Sequence, residues 1–377
     1  MNLAGRVVMR ARRNRNPNPV RIRNHAPRMD QFGRTMVNGA HPDVRLLTDY
    51  LAGRQDPRQP APRLSEIAMF SARRSGQRPF NIAEGARMAM HSTSDFPRIL
   101  EGSIGNAVAR RLEQTVPALL RASHLIHAST YHQGSLLGLS ASGIPQEIAE
   151  TGEIKHVTID ETGELKPVPR DFGSMFRISQ KAIVNDDLDS LEQISEKMVA
   201  GANERLRRVL LEPLLVNAGA GHVMSDGKPV FHADHGNLAG AGSALTLDSL
   251  SEARIALRSQ RGPQGEHYGC EPWALVVPPQ LETRAQQIVA EITAATVSEV
   301  NPFSGKLEVI VEAGLTNPAA ADPSKHDGLA HAFLEGHNAP SVESRDGWNT
   351  LGLDFRLVWA LDACFVSWAS WYRNPGA

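Results

Sequence analysis

A long amphipathic stretch that follows residue 185 constrains the fold of this chain more than any other feature. Asn185, Asp186 and Asp187 are typical helix-capping residues, and Pro213 marks the end of the helix or a kink. Apolar side chains recur between them at helical spacing, namely at Leu188, Leu191, Ile194, Met198, Ala202, Leu206, Val209 and Leu210. At about 1.5 Å per residue such a helix is about 40 Å long, so it can serve as the backbone of a whole domain.

The first 80 residues carry a charge opposite to that of the rest of the chain. They contain 16 Arg, no Lys and 5 acids, a net charge of +11, whereas residues 81–377 carry −12. The arginines that define this basic arm are Arg10, Arg12, Arg13, Arg15, Arg21 and Arg23. We expect residues 1–90 to form a basic, mostly irregular arm. Because guanidinium groups bind the paired oxygens of phosphates and carboxylates, we expect the partner of this arm to carry such groups. A solvated tail is the alternative.

Composition and motifs disfavour several classes of protein. The two cysteines, Cys270 and Cys364, are too few and too far apart for a disulfide framework, so we expect a reducing compartment. No apolar run approaches the roughly 18 residues that cross a bilayer, and the Arg-rich start lacks the apolar stretch of a signal peptide, so we expect an intracellular protein without a membrane partner. The sequence has no Gly-rich phosphate loop, no GxSxG elbow and no HExxH helix, which disfavours a nucleotide or acyl-transfer enzyme, and we expect no cofactor.

Residues 148–184 change from helical spacing to period two, which predicts a long β-hairpin with its turn at residues 161–164 (ETGE). A hairpin of this size has few apolar residues to bury within its own chain, so it needs neighbours, and a surface hairpin on a compact domain is the alternative. Its candidate assembly residues are Lys155, Thr162, Gly163 and Lys166. The two lysines are candidates for a covalent cross-link with a neighbour's Asn, or they are only solubilising charges.

The C-terminal half has an α/β character. The pattern predicts a helix over 247–259, a strand over 273–277, a helix over 279–293 and a strand over 306–311. Alternating apolar residues then predict a terminal hairpin, with Leu351 to Trp359 in one strand and Cys364 to Trp368 in its partner. Because Trp359, Trp368 and Trp371 fall in this segment, we expect it to be core or interface, and Trp359 and Trp368 are candidate assembly residues.

Residues 231–236 (FHADHG) allow two incompatible interpretations. His232, Asp234 and His235 place two imidazoles and a carboxylate within four residues, which is a possible metal site, although this spacing is weak evidence. Alternatively, Asp226-Gly227 is a turn signal, and Asp234, His235 and Asn237 bond to loop backbone. The first interpretation leads to an enzyme and the second to a structural connector.

Six motifs occur in the order that one known family shows. They are residues 91–96 (HSTSDF), 182–189 (AIVNDDLD), 226–239 (DGKPVFHADHGNLA), 275–279 (LVVPP), 301–306 (NPFSGK) and 333–336 (FLEG). Together they resemble the major capsid proteins of tailed bacteriophages and prophages with the Hong Kong 97-type fold. Within that family the sequence is similar to the branch of Mu-like prophages and of protease–capsid fusions. The resemblance covers the chain from about His91 to its end, and it implies an α+β fold and a structural protein rather than an enzyme.

The resemblance also implies a division of the chain. Residues 1–90 would be the arm, 91–140 the N-terminal helix region, 141–184 the extended hairpin loop that overlaps an adjacent subunit, 185–240 the spine helix and connector of the peripheral domain, 241–330 the axial domain and 331–377 the closing strands of the peripheral domain. The protease domain of the fusions is absent, so no proteolytic activity is expected. The terminal segment is also more aromatic than in relatives, which leaves its strand register open.

The implied function is self-assembly into hexamers and pentamers of an icosahedral virion shell, assembled in the bacterial cytoplasm. The implied partners are further copies of the chain, a scaffold, a maturation protease, a portal and packaged double-stranded DNA. Two alternatives remain on the residues alone. One is a metal-dependent hydrolase that uses His232, Asp234 and His235, and the other is a nucleic-acid-binding protein that uses the basic arm.

Overall fold

The structure, a computed structural model, describes residues 47, 49–51, 63–90, 96–132, 135–139, 161–185, 188–261, 267–290, 303, 305–323, 328–346 and 352–376. For residues 135–139, 161–164, 190 and 346 it describes the backbone alone. All of these residues lie in one compact unit, Ala40–Ala377.

The helices of the described residues are α1 Leu64–Arg74, α2 Ile82–Ala89, α3 Phe96–Gln114, α4 Gln180–Val184, α5 Leu188–Leu215, α6 Leu247–Ser259 and α7 Glu282–Val289. The strands are β1 His124–Ala128, β2 Ser135–Leu139, β3 Glu161–Leu165, β4 Arg170–Ser179, β5 Ala274–Val277, β6 Glu308–Val311, β7 Ala319–Ala321, β8 Leu329–Leu334, β9 Ser341–Asp346, β10 Gly352–Phe365 and β11 Trp371–Arg373. Helices and strands are therefore mixed, and the α+β class predicted from the sequence is confirmed.

Helix α5 is the spine that the amphipathic stripe predicts. It spans 28 residues, or about 42 Å, and packs against β10 and α3. Every residue of the predicted stripe is buried except Ile194, which is half-buried. Arg111 on α3 pairs with Glu192 and Glu196 on α5 at 2.9 and 2.7 Å. Pro213 lies inside the last turn, so the helix continues past it for two residues instead of ending there.

The predicted irregular arm is wrong for residues 63–90. Helices α1 and α2 form there and bury Leu64, Ile67 and Ala86 in the same core as the N-terminal half of α5. The excess of Arg over acidic residues in residues 1–80 indicated an arm, but the apolar residues of this segment recur at helical spacing. Leu47 and Leu51 are also fully buried, so the folded body begins before residue 63. The arginines of the basic arm lie outside the described residues.

The large sheet has the strand order β1-β8-β10-β4, and β9 also pairs with β10. Strand β10 is its centre: β4 runs along one edge of it, while β9 and β8 follow each other along the opposite edge. One face of β10 carries Leu353, Phe355 and Leu357 into the core. Its opposite face carries ion pairs between directly opposed residues, Arg177 with Asp354 at 2.9 Å and Arg356 with Glu343 at 2.7 Å.

The predicted terminal hairpin is wrong because β10 runs straight through its expected turn. Residues 352–365 form one strand, since its first half pairs with β9 and its second half pairs with β8. Alternation alone does not show whether a strand stops between two apolar runs. The chain then turns after Phe365, and β11 joins a different sheet.

The small sheet has the order β11-β7-β5-β6, with β5 and β6 parallel and joined through α7. Both of its faces are buried. Ala274 and Val276 on β5 face the core that holds the C-terminal half of α5, whereas Leu275 and Val277 face α6 and α7. The C-terminal strand β11 pairs with β7, so the predicted division at residue 330 separates strands that belong to one sheet.

The third sheet is a two-stranded ladder of β2 and β3. Residues 161–164, predicted to be the turn of the long hairpin, lie in β3 instead, opposite residues of β2. Strand β4, predicted to be part of the extended loop, belongs to the large sheet. The predicted bounds of the loop, 141–184, therefore differ from those of the ladder, whose strands begin at Ser135 and end at Leu165. Residues 140–160, between these strands, lie outside the described part.

Candidate functional site

The connector, residues 224–240, joins the end of the spine region to the small sheet. Its first part is a tight turn in which Gly227 has φ +80° and the Asp226 carboxylate accepts a 3.0 Å hydrogen bond from the backbone N–H of Lys228. A short helical turn follows over Ala233–His235, and Gly236, with φ +63°, ends it. The turn signal at Asp226-Gly227 is therefore confirmed.

His235 is the centre of the connector. Its side chain is 5% exposed and stacks on Trp368, with ring centroids 4.3 Å apart. Nδ1 lies 3.0 Å from the Val230 carbonyl oxygen, and Nε2 lies 2.8 Å from Oδ2 of Asp226. Both ring nitrogens thus face acceptor oxygens. Burial acts to raise the pKa of Asp226, but the hydrogen bonds from His235 and from Lys228 N–H hold that pKa below its usual value.

Asn237 ties the connector to the C-terminal segment. It is fully buried, and its amide donates to the carbonyls of Val230 at 2.8 Å and Trp368 at 3.3 Å. Its side-chain oxygen accepts from the backbone N–H of His232 at 3.1 Å. The backbone carbonyl of Asn237 also accepts from the N–H of Arg373 at 2.9 Å. One short loop therefore fixes β11 beside the end of the spine.

The three candidate metal ligands are used within the protein. His232 Nδ1 accepts from the backbone N–H of Asp234 at 3.2 Å, and Asp234 pairs with Lys228 at 2.7 Å, which lowers the pKa of its carboxyl. The rings of His232 and His235 are 5.9 Å apart, centroid to centroid. Within the described ranges no three His, Cys, Asp or Glu side chains are grouped to hold a metal ion. The geometry fits a hydrogen-bonded connector and gives the hydrolase alternative no support.

The interpretation of the connector as backbone-bonded is right for two of its three residues. His235 and Asn237 both contact the carbonyl of Val230, whereas the Asp234 carboxylate pairs with a lysine side chain. Sequence reasoning missed Asp226 as the partner of His235. The sequence indicates Asp226 only as a turn residue, because nothing in its spacing shows that the turn folds back onto the His235 ring.

The candidate assembly residues of the predicted hairpin lie in or beside β3, apart from Lys155. Thr162 and Gly163 lie in β3, opposite Gly138 and Leu137, and Lys166 is half-buried just after that strand. Lys155 lies outside the described residues.

Trp359, a candidate assembly residue, lies in the core of the subunit, and its role in assembly stays a prediction. This side chain is 2% exposed and stacks on Phe333, with centroids 5.4 Å apart, so it packs inside its own subunit. Trp368 is half-buried and stacks on His235. Both indoles therefore stabilise the subunit fold, one in the large sheet and one against the connector.

None of the helices in the described residues combines the length and the hydropathy that crossing a membrane requires. No curated protein matches the chain. Among solved structures, the chain is similar to Microbacterium phage Oxtober96 at 10% identity, with 70% of this chain and 92% of that chain covered and a TM-score of 0.42. It is similar to the satellite phage P4 procapsid including size determination (Sid) protein at 11% identity, with 71% and 88% covered and a TM-score of 0.42.

A third similarity is to the virus-like particle from Pyrococcus furiosus, at 12% identity with 72% of this chain and 96% of that chain covered and a TM-score of 0.39. The family model described as phage capsid protein matches residues 164–374. This range contains β4, the spine, the connector and the whole small sheet. Since the match covers more than half of the 377 residues, the chain belongs to the phage capsid protein family.

Proposed function

We propose that this chain is the major, shell-forming subunit of the head of a tailed phage or prophage. In this proposal, copies of the one chain assemble as hexamers and pentamers into an icosahedral shell of the Hong Kong 97 type around double-stranded DNA. The family match supports a structural role in a virion capsid. The mode of assembly is inferred from the folded subunit.

The observation that carries the proposal is the ladder of β2 and β3. Among the described strands, these two pair with each other and with no third strand. An isolated two-stranded ladder is marginally stable in water, so it needs a surface to pack on. In a protein that tiles a closed shell, a neighbouring subunit supplies that surface, and each such overlap adds an interface without a new fold. Residues 135–165 would be the overlapping loop.

The two larger sheets would correspond to two domains. The peripheral domain would hold the spine helix α5 and the large sheet, and the axial domain would hold the small sheet with α6 and α7. The axial domain would then contain residues 241–330 together with β11. The connector hydrogen-bonds to the Trp368 carbonyl and to the Arg373 backbone, so it would hold β11 of the axial domain beside the end of the spine. It would keep the two domains in a fixed relation during assembly.

The remaining partners follow from this role. A scaffold, a maturation protease and a portal would act on the assembling head in the bacterial cytoplasm. The arginines of residues 1–46, among them Arg10 and Arg21, would bind scaffold carboxylates or DNA phosphates.

Expression of the chain alone tests assembly. We expect sizing and negative-stain microscopy to show hexamers, pentamers or closed shells. A matched pair of variants identifies the loop: replacing residues 140–160 with Asn-Gly should leave a folded but unassembled subunit, because this short turn closes the ladder and removes the overlap. Replacing the exposed Gly269 turn residue with Asn, which tolerates its φ of +64°, is the control and should assemble normally. A stable monomer from the unaltered chain would refute the proposal.

A truncation tests the arm. Deleting residues 1–40 removes arginines without touching Leu47 or Leu51, whose side chains are part of the core. Loss of nucleic acid or scaffold from the particles is expected. Unchanged assembly together with unchanged nucleic-acid content would show that the arm has neither role.

A further inference from the structure

A cavity of about 320 Å³ opens where the spine helix ends. Leu214, Leu215 and Leu315 form its apolar wall, and Thr316, Asn317 and Arg373 form its polar wall. The backbone beside it is unusual: Asn217, Ala218 and Gly219 follow one another with φ of 60°, 54° and 84°. Such a left-handed run bends the chain sharply away from the helix and leaves the space open.

The Arg373 side chain has a single hydrogen-bond partner among the described residues. Its Nη2 donates to the carbonyl of Ala218 at 3.1 Å, and a guanidinium has five N–H donors. The guanidinium lies so close to Gly219 that a Cβ there would be 2.5 Å from Nη2, so the glycine makes room for it. One nitrogen of the guanidinium is thus bonded to the backbone, and the side chain lines the cavity.

Among the described residues, Arg373 differs from the arginines that pair with carboxylates. Arg170, Arg177 and Arg207 pair with carboxylates, and these hydrogen bonds raise the pKa of each guanidinium. Burial alone lowers the pKa of Arg373, and no carboxylate of the described residues forms an ion pair with it. A half-buried cation without a countercharge is unfavourable, so the site favours an anion.

We propose that this cavity is a carboxylate-binding site, and that in the assembled shell it holds an Asp or Glu side chain of a second copy of the chain. The inference rests on the proposed shell function. The planar guanidinium fork matches the two oxygens of a carboxylate, and the leucine wall accepts the aliphatic stem of an acidic side chain.

Charge and exposure favour a second copy as the source of the carboxylate. Residues 81–377 carry a net charge of −12, so each copy presents many acids to its neighbours. Leu215, which lines the cavity, and the next residue, Val216, are 43% and 42% exposed, so an approaching chain finds apolar surface to cover beside the site. Arginine is one of the residue types enriched among the desolvated contacts that contribute most to binding at interfaces.

The first test compares two arginine variants. R373Q removes the charge and the bond to Ala218, whereas R284Q removes an arginine that donates to a backbone carbonyl, that of Leu245 at 3.2 Å, without lining the cavity. Both variants should keep a folded subunit by circular dichroism. We expect R373Q to raise the subunit concentration needed for half-maximal assembly about tenfold or more, and R284Q to stay within about twofold of the unaltered chain. R373K, which keeps the charge but lacks the fork, should fall between them.

The outcomes separate this inference from the proposed function. If the unaltered chain assembles and R373Q assembles equally well, the inference is wrong and the shell function stands. If the unaltered chain does not assemble, both are overturned.

A second measurement does not depend on any variant folding. Electron cryomicroscopy of shells from the unaltered chain should show an Asp or Glu of a neighbouring copy within about 4 Å of the Arg373 guanidinium. A carboxylate from the same copy, or an empty cavity, would overturn the proposal. Inorganic phosphate at matched ionic strength tests a free anion: a thermal stabilisation that R373Q abolishes, with assembly unaffected, would assign the site to a small solute instead.

Discussion

The large and the small sheet are stabilised in different ways. The large sheet is organised by one strand, β10, which pairs along most of its length and has an apolar face and a charged face. The small sheet has strands of only three or four residues and is apolar on both faces. Short strands contribute few hydrogen bonds, so the small sheet depends on contacts from outside it: the connector, the spine and the last residues of the chain.

Those outside contacts differ from the surface ion pairs of the large sheet. Arg177 is 47% exposed on the open face, where solvent screening leaves its pair with Asp354 little net energy. Glu312, which follows β6 of the small sheet, is 4% exposed, and its partner Arg207 comes from the spine. Loss of a buried contact should therefore destabilise the subunit more than loss of an equivalent contact on the large sheet. Four substitutions test this difference.

Trp371 should have the largest effect, because it is the fully buried anchor of β11. Its ring packs edge-on against Phe365, with centroids 5.5 Å apart. W371A should lower the free energy of unfolding by about 3–5 kcal/mol in urea titrations of unassembled subunits. The control is W273A, since Trp273 precedes β5 but is 37% exposed and should cost much less. Equal losses for the two would show that β11 does not hold the small sheet in place.

Arg207 should come next, because its removal leaves the Glu312 carboxylate buried without a countercharge. R207M should cost about 2–4 kcal/mol, and adding E312Q should restore part of that loss. The control R208M removes a neighbouring arginine whose pair with Glu204 is exposed, and it should cost at most about 0.5 kcal/mol. If R207M and R208M have the same unfolding midpoint, the buried pair beside the small sheet contributes no more stability than an exposed pair.

Asp226 gives a smaller effect that depends on pH. D226N keeps the shape but removes the charge that faces His235, so it should cost about 1–2 kcal/mol at pH 7. Because the folded-state pKa of Asp226 is depressed, its contribution is present above its ordinary pKa and is lost as pH falls through the lower, folded value. The gap in unfolding free energy between the unaltered chain and D226N should therefore close below about pH 4.

D234N is the matched control for Asp226, since it removes the other carboxylate of the connector, which is largely exposed. Its effect at pH 7 should be smaller than that of D226N. A constant gap between the unaltered chain and D226N from pH 7 to pH 3 would show that the charge of Asp226 is not what stabilises the connector.

The same difference between the sheets explains what the sequence revealed. The spine and α6 were predicted nearly to the residue, because long periodic stripes and capping residues are local signals. The predicted family is confirmed by the match over residues 164–374. Strands β7 and β11 were missed, since three residues carry no period, and β10 was divided in two because its partners are distant in sequence.

In the candidate site, too, the local features were predicted and the contacts between distant segments were not. The loop and its turn were visible, and His235 and Asn237 were expected to bond the backbone. The pairing of Asp226 with His235, the stacking on Trp368 and the exposure of Arg373 to a cavity were not visible, because each joins segments that only the tertiary fold brings together. A sequence shows local turn and capping signals, whereas it does not show the contacts between distant segments that hold these turns in place.

Replacing Ala218 with glycine should have the smallest effect on the free energy of unfolding, and this effect should be stabilising. It has φ 54° and ψ 32° in the turn that leaves the spine, a conformation that costs an L-residue with a Cβ about 1 kcal/mol and glycine nothing. A218G should therefore raise the free energy of unfolding by about 0.5–1 kcal/mol, less the extra entropy of glycine in the unfolded chain. Ala220, two residues later with φ −75°, is the control, and A220G should lower stability by about 0.5–1 kcal/mol. Opposite signs would show that the left-handed turn holds strain at the junction of the spine with the small sheet. If both variants lose stability, the turn is relaxed as it stands, and the small sheet is held without any strain in its link to the spine.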